Sequence, residues 1–179
     1  MTVRVKPLIE ADTIAERNAA LATSIAETVA TDVLVVAILK GSFVFAADLI
    51  RALHGAGMAP QVEFLQLSSY RDATVSSGHV EVVRDIENNV RGRDVLIIDD
   101  ILESGRTLAY AKDLMAARGA ERVFTCVLLD KPGRRAVDLT PDFVGFECPD
   151  AFVVGYGMDV AHAWRELPYV GVIERYDTA

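Results

Sequence analysis

The stretch from Val95 to Leu108, VLIIDDILESGRTL, decides the fold. Its opening residues, Val95 to Ile98, form a continuous aliphatic run of the kind buried on both faces in a parallel sheet. Asp99 and Asp100 end the apolar run. Ser104, Gly105 and Thr107 then lead into a helix predicted over Arg106 to Arg118 and closed by Gly119. Strand, polar turn and helix in that order form the building unit of an open α/β sheet, whose ligands bind beyond the carboxyl ends of the strands.

The flanking sequence keeps this alternation. Upstream, Ile14, Leu21, Ile25 and Val29 recur at helical spacing and predict an amphipathic helix from about Glu10 to Ala30. Val33 to Leu39 is a second buried strand, broken by Lys40-Gly41-Ser42, and Ser42 is expected to cap a helix running through Phe45 and Leu49 to about Leu53. Further strands are predicted at Val62 to Leu67, His79 to Val83, Asp94 to Asp99 and Arg122 to Leu129, with short extended pieces near Val144, Phe152 and Val170. Ser68 to Gly78 is too polar for a core and too long for a tight turn, which marks a functional loop. The expected fold is an α/β single domain over residues 1–179, an open, mostly parallel sheet flanked by helices. Its core spans about 10–140, and a small hood subdomain is built by the termini, about 1–9 and 141–179.

Composition narrows the function. The 179 residues carry 18 Lys and Arg against 26 Asp and Glu, a net charge of −8, with 51% hydrophobic residues. A chain of this length buries about 70% of its unfolded surface, so one core suffices. The acidic balance argues against a nonspecific nucleic-acid binder, whose affinity comes from clustered Lys and Arg. The apolar run from Val33 stops at Lys40, far short of the roughly 20 residues that span a bilayer, so no membrane helix is expected. Met1 to Glu10 lacks the apolar core of a signal peptide, which points to a cytoplasmic protein. Cys126 and Cys148 sit in apolar segments without metal-ligand spacing and read as buried thiols.

Ser104, Gly105 and Thr107 bring small side chains, backbone N–H groups and two hydroxyls to a helix N-terminus, an anion site suited to a monophosphate. Asp99 and Asp100 can accept hydrogen bonds from vicinal ribose hydroxyls or hold a divalent cation through water. A plain capped turn is the alternative at this level. The chain has no GxxxxGK[ST], Gly155-Tyr156-Gly157 lacks a third small residue at Val160, and His54, His79 and His162 are too scattered for a metal site.

Taken together, VLIIDDILESGRTL resembles the phosphoribosyl-pyrophosphate (PRPP) signature of the type I phosphoribosyltransferases. LKGSFVFAADL at Leu39 to Leu49, SSYRD at Ser68 to Asp72 and LLDKPGRR at Leu128 to Arg135 narrow the resemblance to the hypoxanthine-guanine branch, as do PDFVGFECPDAFVVGYGMD at Pro141 to Asp159 and WRELPYVGVI at Trp164 to Ile173. The resemblance implies a purine-salvage glycosyltransferase that joins PRPP to hypoxanthine or guanine, giving IMP or GMP and pyrophosphate. It further implies Mg²⁺ as cofactor, a homodimer or homotetramer, and neither nucleic-acid nor membrane partners.

Carried over residue by residue, the resemblance implies that Asp99 and Asp100 bind the ribose hydroxyls and Mg²⁺, while Glu103, Ser104, Gly105, Arg106 and Thr107 wrap the 5′-phosphate. Lys40, Gly41 and Arg165 would bind pyrophosphate, with a non-proline cis peptide between Leu39 and Lys40. On the purine side, Lys131 would donate to O6, Phe152 would stack on the base, and the Val153 backbone would read its edge. Asp159 matches a second metal ligand beside the purine, and Ser69 and Tyr70 fall in a mobile loop that closes over the reaction. One position departs from the family pattern: Glu103 stands where Asp is usual, in the role of catalytic proton acceptor at purine N7. Two other readings remain open here. A PRPP-sensing regulator would need a basic face or an added nucleic-acid-binding domain. A xanthine- or adenine-preferring transferase is the nearer rival, for which Lys131 is the discriminator because it favours an oxo group over the amino group of adenine.

Overall fold

In the computed structural model, which describes residues 2–69 and 80–176, the chain runs β1 (Thr2–Ile9), α1 (Ala11–Ala26), β2 (Leu34–Leu39), α2 (Phe43–Gly55), β3 (Gln61–Ser69) and β4 (Val80–Arg84). It continues through β5 (Asp94–Leu102), α3 (Arg106–Ala117), β6 (Arg122–Asp130), a 3₁₀ turn at Pro132–Arg134, β7 (Phe143–Glu147), β8 (Val153–Val154) and β9 (Val170–Tyr176). The core sheet has the order β4-β3-β2-β5-β6-β7, parallel throughout except for β3 against β4.

Side chains alternate across a strand, and the apolar runs of β2 and β5 are buried from both sides. Val35, Ala37, Leu96 and Ile98 pack with α1 and α2 through Ile14, Leu21, Ile25, Phe45 and Leu49. Leu34, Val36, Ile38, Val95 and Ile97 face α3 through Leu108, Ala111 and Met115. At about 1.5–3 kcal/mol for each fully buried aliphatic side chain, this two-faced packing is the main stabilising contribution. Cys126 and Cys148 are buried and unpaired, as expected.

A second, antiparallel sheet, β1-β9-β8, joins the two ends of the described chain, with Val5 opposite Ile173 and Val153 opposite Val172. Residues 143–147, expected within the hood, belong to the core sheet. Phe143 to Glu147 forms the parallel edge of the core sheet, because β6 offers a ladder in which Cys126 pairs with Phe143 and Asp130 with Glu147.

Three local differences from the sequence reading have physical causes. α1 stops at Ala26 rather than Ala30, and the Ala30 N–H donates to Asp94 instead of continuing the helix. Ser42 does not cap α2: its buried hydroxyl donates to the Ile38 carbonyl at 2.6 Å. β5 runs past Asp99 to Leu102, because β6 keeps pairing with it through Ile101 opposite Leu129 and Leu102 opposite Asp130, whereas pairing with β2 ends at Ala37 opposite Ile98. The two acids therefore stand on an ordered strand where one neighbour has turned away.

Candidate active site

Strand order reverses between β2 and β5, since β2 leads through α2 to β3 on one side and β5 leads through α3 to β6 on the other. Such a switch point opens a crevice at the carboxyl ends of the strands. Lys40 and Gly41 leave β2 there, after a cis peptide between Leu39 and Lys40, as expected. Gly41 has no space for a side chain: a Cβ would lie 1.7 Å from Asp100 Oδ2.

A cleft of about 430 Å³ opens at this point. Lys40, Gly41, Asp100, Glu103, Lys131, Phe152, Val153, Asp159 and Arg165 line it, residues from six separate segments of the chain. Asp99 and the Ser104 to Thr107 turn are not among its walls and lie beside it along β5 and the start of α3. A larger groove of about 660 Å³ runs between α1, α2 and residues 165–168, but its walls are mostly apolar.

At one end of the cleft β6 delivers Lys131. Its backbone N–H donates to Leu102 O at 2.9 Å, and its ammonium donates to Glu103 Oε1 and to Ala151 O, each at 2.7 Å. Lys131 is only 5% exposed, a burial that an ammonium tolerates when it is paired and hydrogen-bonded. Phe152, by contrast, is 60% exposed. That excludes a core role for it and leaves a ring face open to a planar partner. Glu103 has a cation for a neighbour, across the ladder position where Leu102 faces Asp130.

At the other end, Arg165 Nη2 lies 2.6 Å from Asp159 Oδ1, and Arg165 Nη1 donates to Gly157 O at 2.6 Å. Arg165 thus pairs with Asp159 rather than with its neighbour Glu166. The second Asp159 oxygen accepts the His162 N–H at 2.8 Å. Asp99 accepts the Asp100 N–H at 3.0 Å, and Asp100 accepts the Ile101 N–H at 2.8 Å. Burial pushes both carboxyls above the ordinary carboxylate value, and the charge of Asp100 pushes Asp99 further.

The turn before α3 is braced from outside. Gly105 has φ +80°, and a Cβ there would lie 2.9 Å from Val137 Cγ2. Ser104 O accepts the N–H groups of Ala136 and Val137, at 2.9 and 3.3 Å. Arg135 donates to Glu103 O at 3.0 Å and to Leu102 O at 3.3 Å while pairing with Asp130. Arg135 has no role legible in the sequence, although it lies within LLDKPGRR.

Among the described residues no three His, Cys, Asp or Glu side chains form a ready-made metal cluster. Asp100 and Asp159 on the cleft wall, with Asp99 behind, fit a hard cation that brings most of its own oxygen ligands, the habit of Mg²⁺ with phosphate substrates. Ser69 closes β3, while Tyr70 and the remainder of the expected loop, through Gly78, lie outside the described residues, as does His79, the expected start of the next strand.

A family model for the phosphoribosyl transferase domain matches residues 8–161. The chain belongs to the phosphoribosyl transferase family. It is 48% identical to the hypoxanthine-guanine phosphoribosyltransferase of Bacillus subtilis over 141 residues, which is 79% of this chain and 77% of that protein. It is 42% identical over 147 residues to the hypoxanthine phosphoribosyltransferase of Salmonella typhimurium, 82% of this chain and 81% of that one. A crystal structure of a hypoxanthine-guanine phosphoribosyltransferase from Bacillus anthracis matches with a TM-score of 0.87 at 38% identity, over 97% of this chain and all of the other. In this phosphoribosyl transferase the cleft thus has an end built from Lys131, Glu103 and Phe152, and an end built from Lys40, Gly41, Asp159 and Arg165.

Proposed function

We infer that this phosphoribosyl transferase is a purine-salvage enzyme that transfers the 5-phosphoribosyl group of PRPP to hypoxanthine or guanine, releasing pyrophosphate. The observation that carries this reading is the Lys131 to Glu103 pair, an ammonium and a carboxylate 2.7 Å apart beside an exposed aromatic ring. A 6-oxopurine presents O6 and N7 side by side on one edge. Two of the three Lys131 donors go to Glu103 and Ala151, and the third serves O6. Glu103 takes the N7 proton as N9 attacks C1′. Adenine would meet the ammonium donor to donor, so it is rejected. Phe152 stacks on the base, and the Val153 backbone reads its edge.

Ser104 to Thr107, at the N-terminus of α3, receive the 5′-phosphate, with Arg135 and Val137 holding the turn in shape. Asp99 and Asp100 accept the ribose hydroxyls. Lys40, Gly41 and Arg165 hold the leaving pyrophosphate in line with the base, which turns a bimolecular step into one between fixed neighbours. Bound Mg²⁺, held by Asp99, Asp100 and Asp159 with oxygens of PRPP, would neutralise the charge that develops on that leaving group.

Residues 1–179 are read as one catalytic domain with its hood, acting in the cytoplasm as a homodimer or homotetramer. No helix of the described residues is long and apolar enough to cross a membrane. The apolar groove beside α1 and α2, edged by the exposed Phe43, supports association with a second copy. The direct test is turnover of PRPP and Mg²⁺ with hypoxanthine, guanine, xanthine and adenine in turn, with and without EDTA. Nucleotide and pyrophosphate should form with hypoxanthine or guanine, little should form with adenine, and EDTA should abolish both. Preference for adenine, or no consumption of PRPP, would overturn the reading.

A further inference from the structure

Three consecutive residues, Gly155, Tyr156 and Gly157, have positive φ, at 92°, 50° and 100°. For the two glycines the reason is space. A Cβ at 155 would lie 2.2 Å from Tyr169 O, and one at 157 would lie 2.3 Å from Gly41 O. Tyr156 between them bears a side chain in the left-handed region, a conformation that glycine would adopt without strain. The tyrosine side chain must therefore contribute something at this turn.

Its ring is buried, and its hydroxyl donates to Asp48 Oδ2 at 2.5 Å and accepts from Asn18 Nδ2 at 2.9 Å. Asn18 lies on α1 and Asp48 on α2, the helix that begins two residues after Gly41. Among the described residues the buried Asn18 Oδ1 has no partner, while its Nδ2 is held by the phenol. One hydroxyl thus ties the helix carrying the Lys40 to Gly41 turn to the turn at 155–157.

That second turn holds the rest of the same half of the cleft. Tyr156 N–H donates to Leu167 O at 2.8 Å, and Gly157 N–H donates to Arg165 O at 3.0 Å. Gly157 O accepts from the Arg165 guanidinium, which also pairs with Asp159. Gly157 in turn packs directly on the Gly41 carbonyl. The base end is held separately: Lys131 is anchored by Leu102, Glu103 and Ala151.

We propose that Tyr156, through its bond to Asp48, is a positioning residue for the pyrophosphate half of the site, fixing the Lys40 to Gly41 turn against Arg165 and Asp159. This rests on the assignment of pyrophosphate to that half. The test is steady-state kinetics on the full chain in both directions. Tyr156→Phe should raise KM for PRPP and for pyrophosphate about tenfold, the low end for loss of an outer partner, with KM for hypoxanthine and IMP within about twofold of the parent. Asp48→Ala should reproduce this split, and Asp48→Asn, which keeps an acceptor, should stay near the parent. If Tyr156→Phe folds poorly, the Asp48 pair reads the same bond from α2. Four unshifted constants, or four that shift together with a lowered Tm, would overturn the positioning role alone. A parent protein that binds neither PRPP nor pyrophosphate would overturn the assignment of the cleft and the proposal with it.

Discussion

Strand β5 carries acids at its start and toward its carboxyl end, and the two ends behave in opposite ways. At its start, Asp94 accepts the Ala30 N–H at 2.9 Å and two bonds from the Arg122 guanidinium, at 2.8 and 2.5 Å. Those Arg122 bonds hold its carboxyl below the ordinary carboxylate value. Toward its carboxyl end, Asp99 is buried beside the half-buried Asp100, and desolvation holds both carboxyls above that value. Asp94 ties the turn after α1 to the starts of β5 and β6 and so serves the fold. Asp99 and Asp100 carry charge that the protein answers poorly, the condition in which a cation or a ribose hydroxyl gains most by binding.

The largest effect should come from the working end. Glu103→Gln keeps the shape of the turn and removes the proton acceptor, so kcat should fall by roughly 10² to 10⁴ with PRPP affinity little changed. Glu103→Asp should retain most activity. A Gln variant with near-parental kcat would remove Glu103 from the chemistry and leave positioning and charge to carry the reaction. Next, Lys131→Ala deletes a charged donor of the kind worth about 1.5–3 kcal/mol, so kcat/KM for hypoxanthine should drop at least about tenfold. An unchanged value would sink the O6 assignment.

The contrast between the two ends also explains what the sequence could and could not reveal. Val33 to Leu39 and Val95 to Ile98 were legible as strands because burial on both faces leaves an unbroken aliphatic run. The continuation of β5 through Asp99 to Leu102 was not, since acids are depleted in strands and only the ladder to β6 keeps these extended. Glu103 and Lys131 were legible singly, through the resemblance. Their pairing depends on Leu102 lying opposite Asp130, a register that no local pattern encodes. Tyr156 stands in a weak glycine motif and within the Pro141 to Asp159 segment, with no role legible in either, and its partners Asn18 and Asp48 lie 138 and 108 residues away. Contacts at such separation leave no local periodicity to read.

Smaller effects concern stability and its pH dependence. Asp94, with a lowered folded value, contributes stability that is complete above the unfolded value of 3.8 and is lost as pH falls below it. Asp85, paired with Arg118, acts with the same sign. Asp99 and Asp100 have raised folded values, so their sign is reversed: each costs stability as pH climbs from 3.8 through its raised value. In metal-free protein, the Tm of Asp99→Asn relative to the parent should therefore climb over that window and level off above it. A difference that does not vary with pH would show that Asp99 carries no such cost.

The most direct measurement is the Tm of Asp94→Asn and Asp99→Asn beside the parent, in EDTA at about pH 7.5. The expected result is a pair of opposite signs. Asp94→Asn should melt several degrees below the parent yet turn over hypoxanthine normally once Mg²⁺ is restored, whereas Asp99→Asn should melt above the parent and bind PRPP weakly. An Asp99→Asn protein that melts below the parent, or an Asp94→Asn protein that keeps its Tm, would contradict the division of β5 into an end that builds and an end that works.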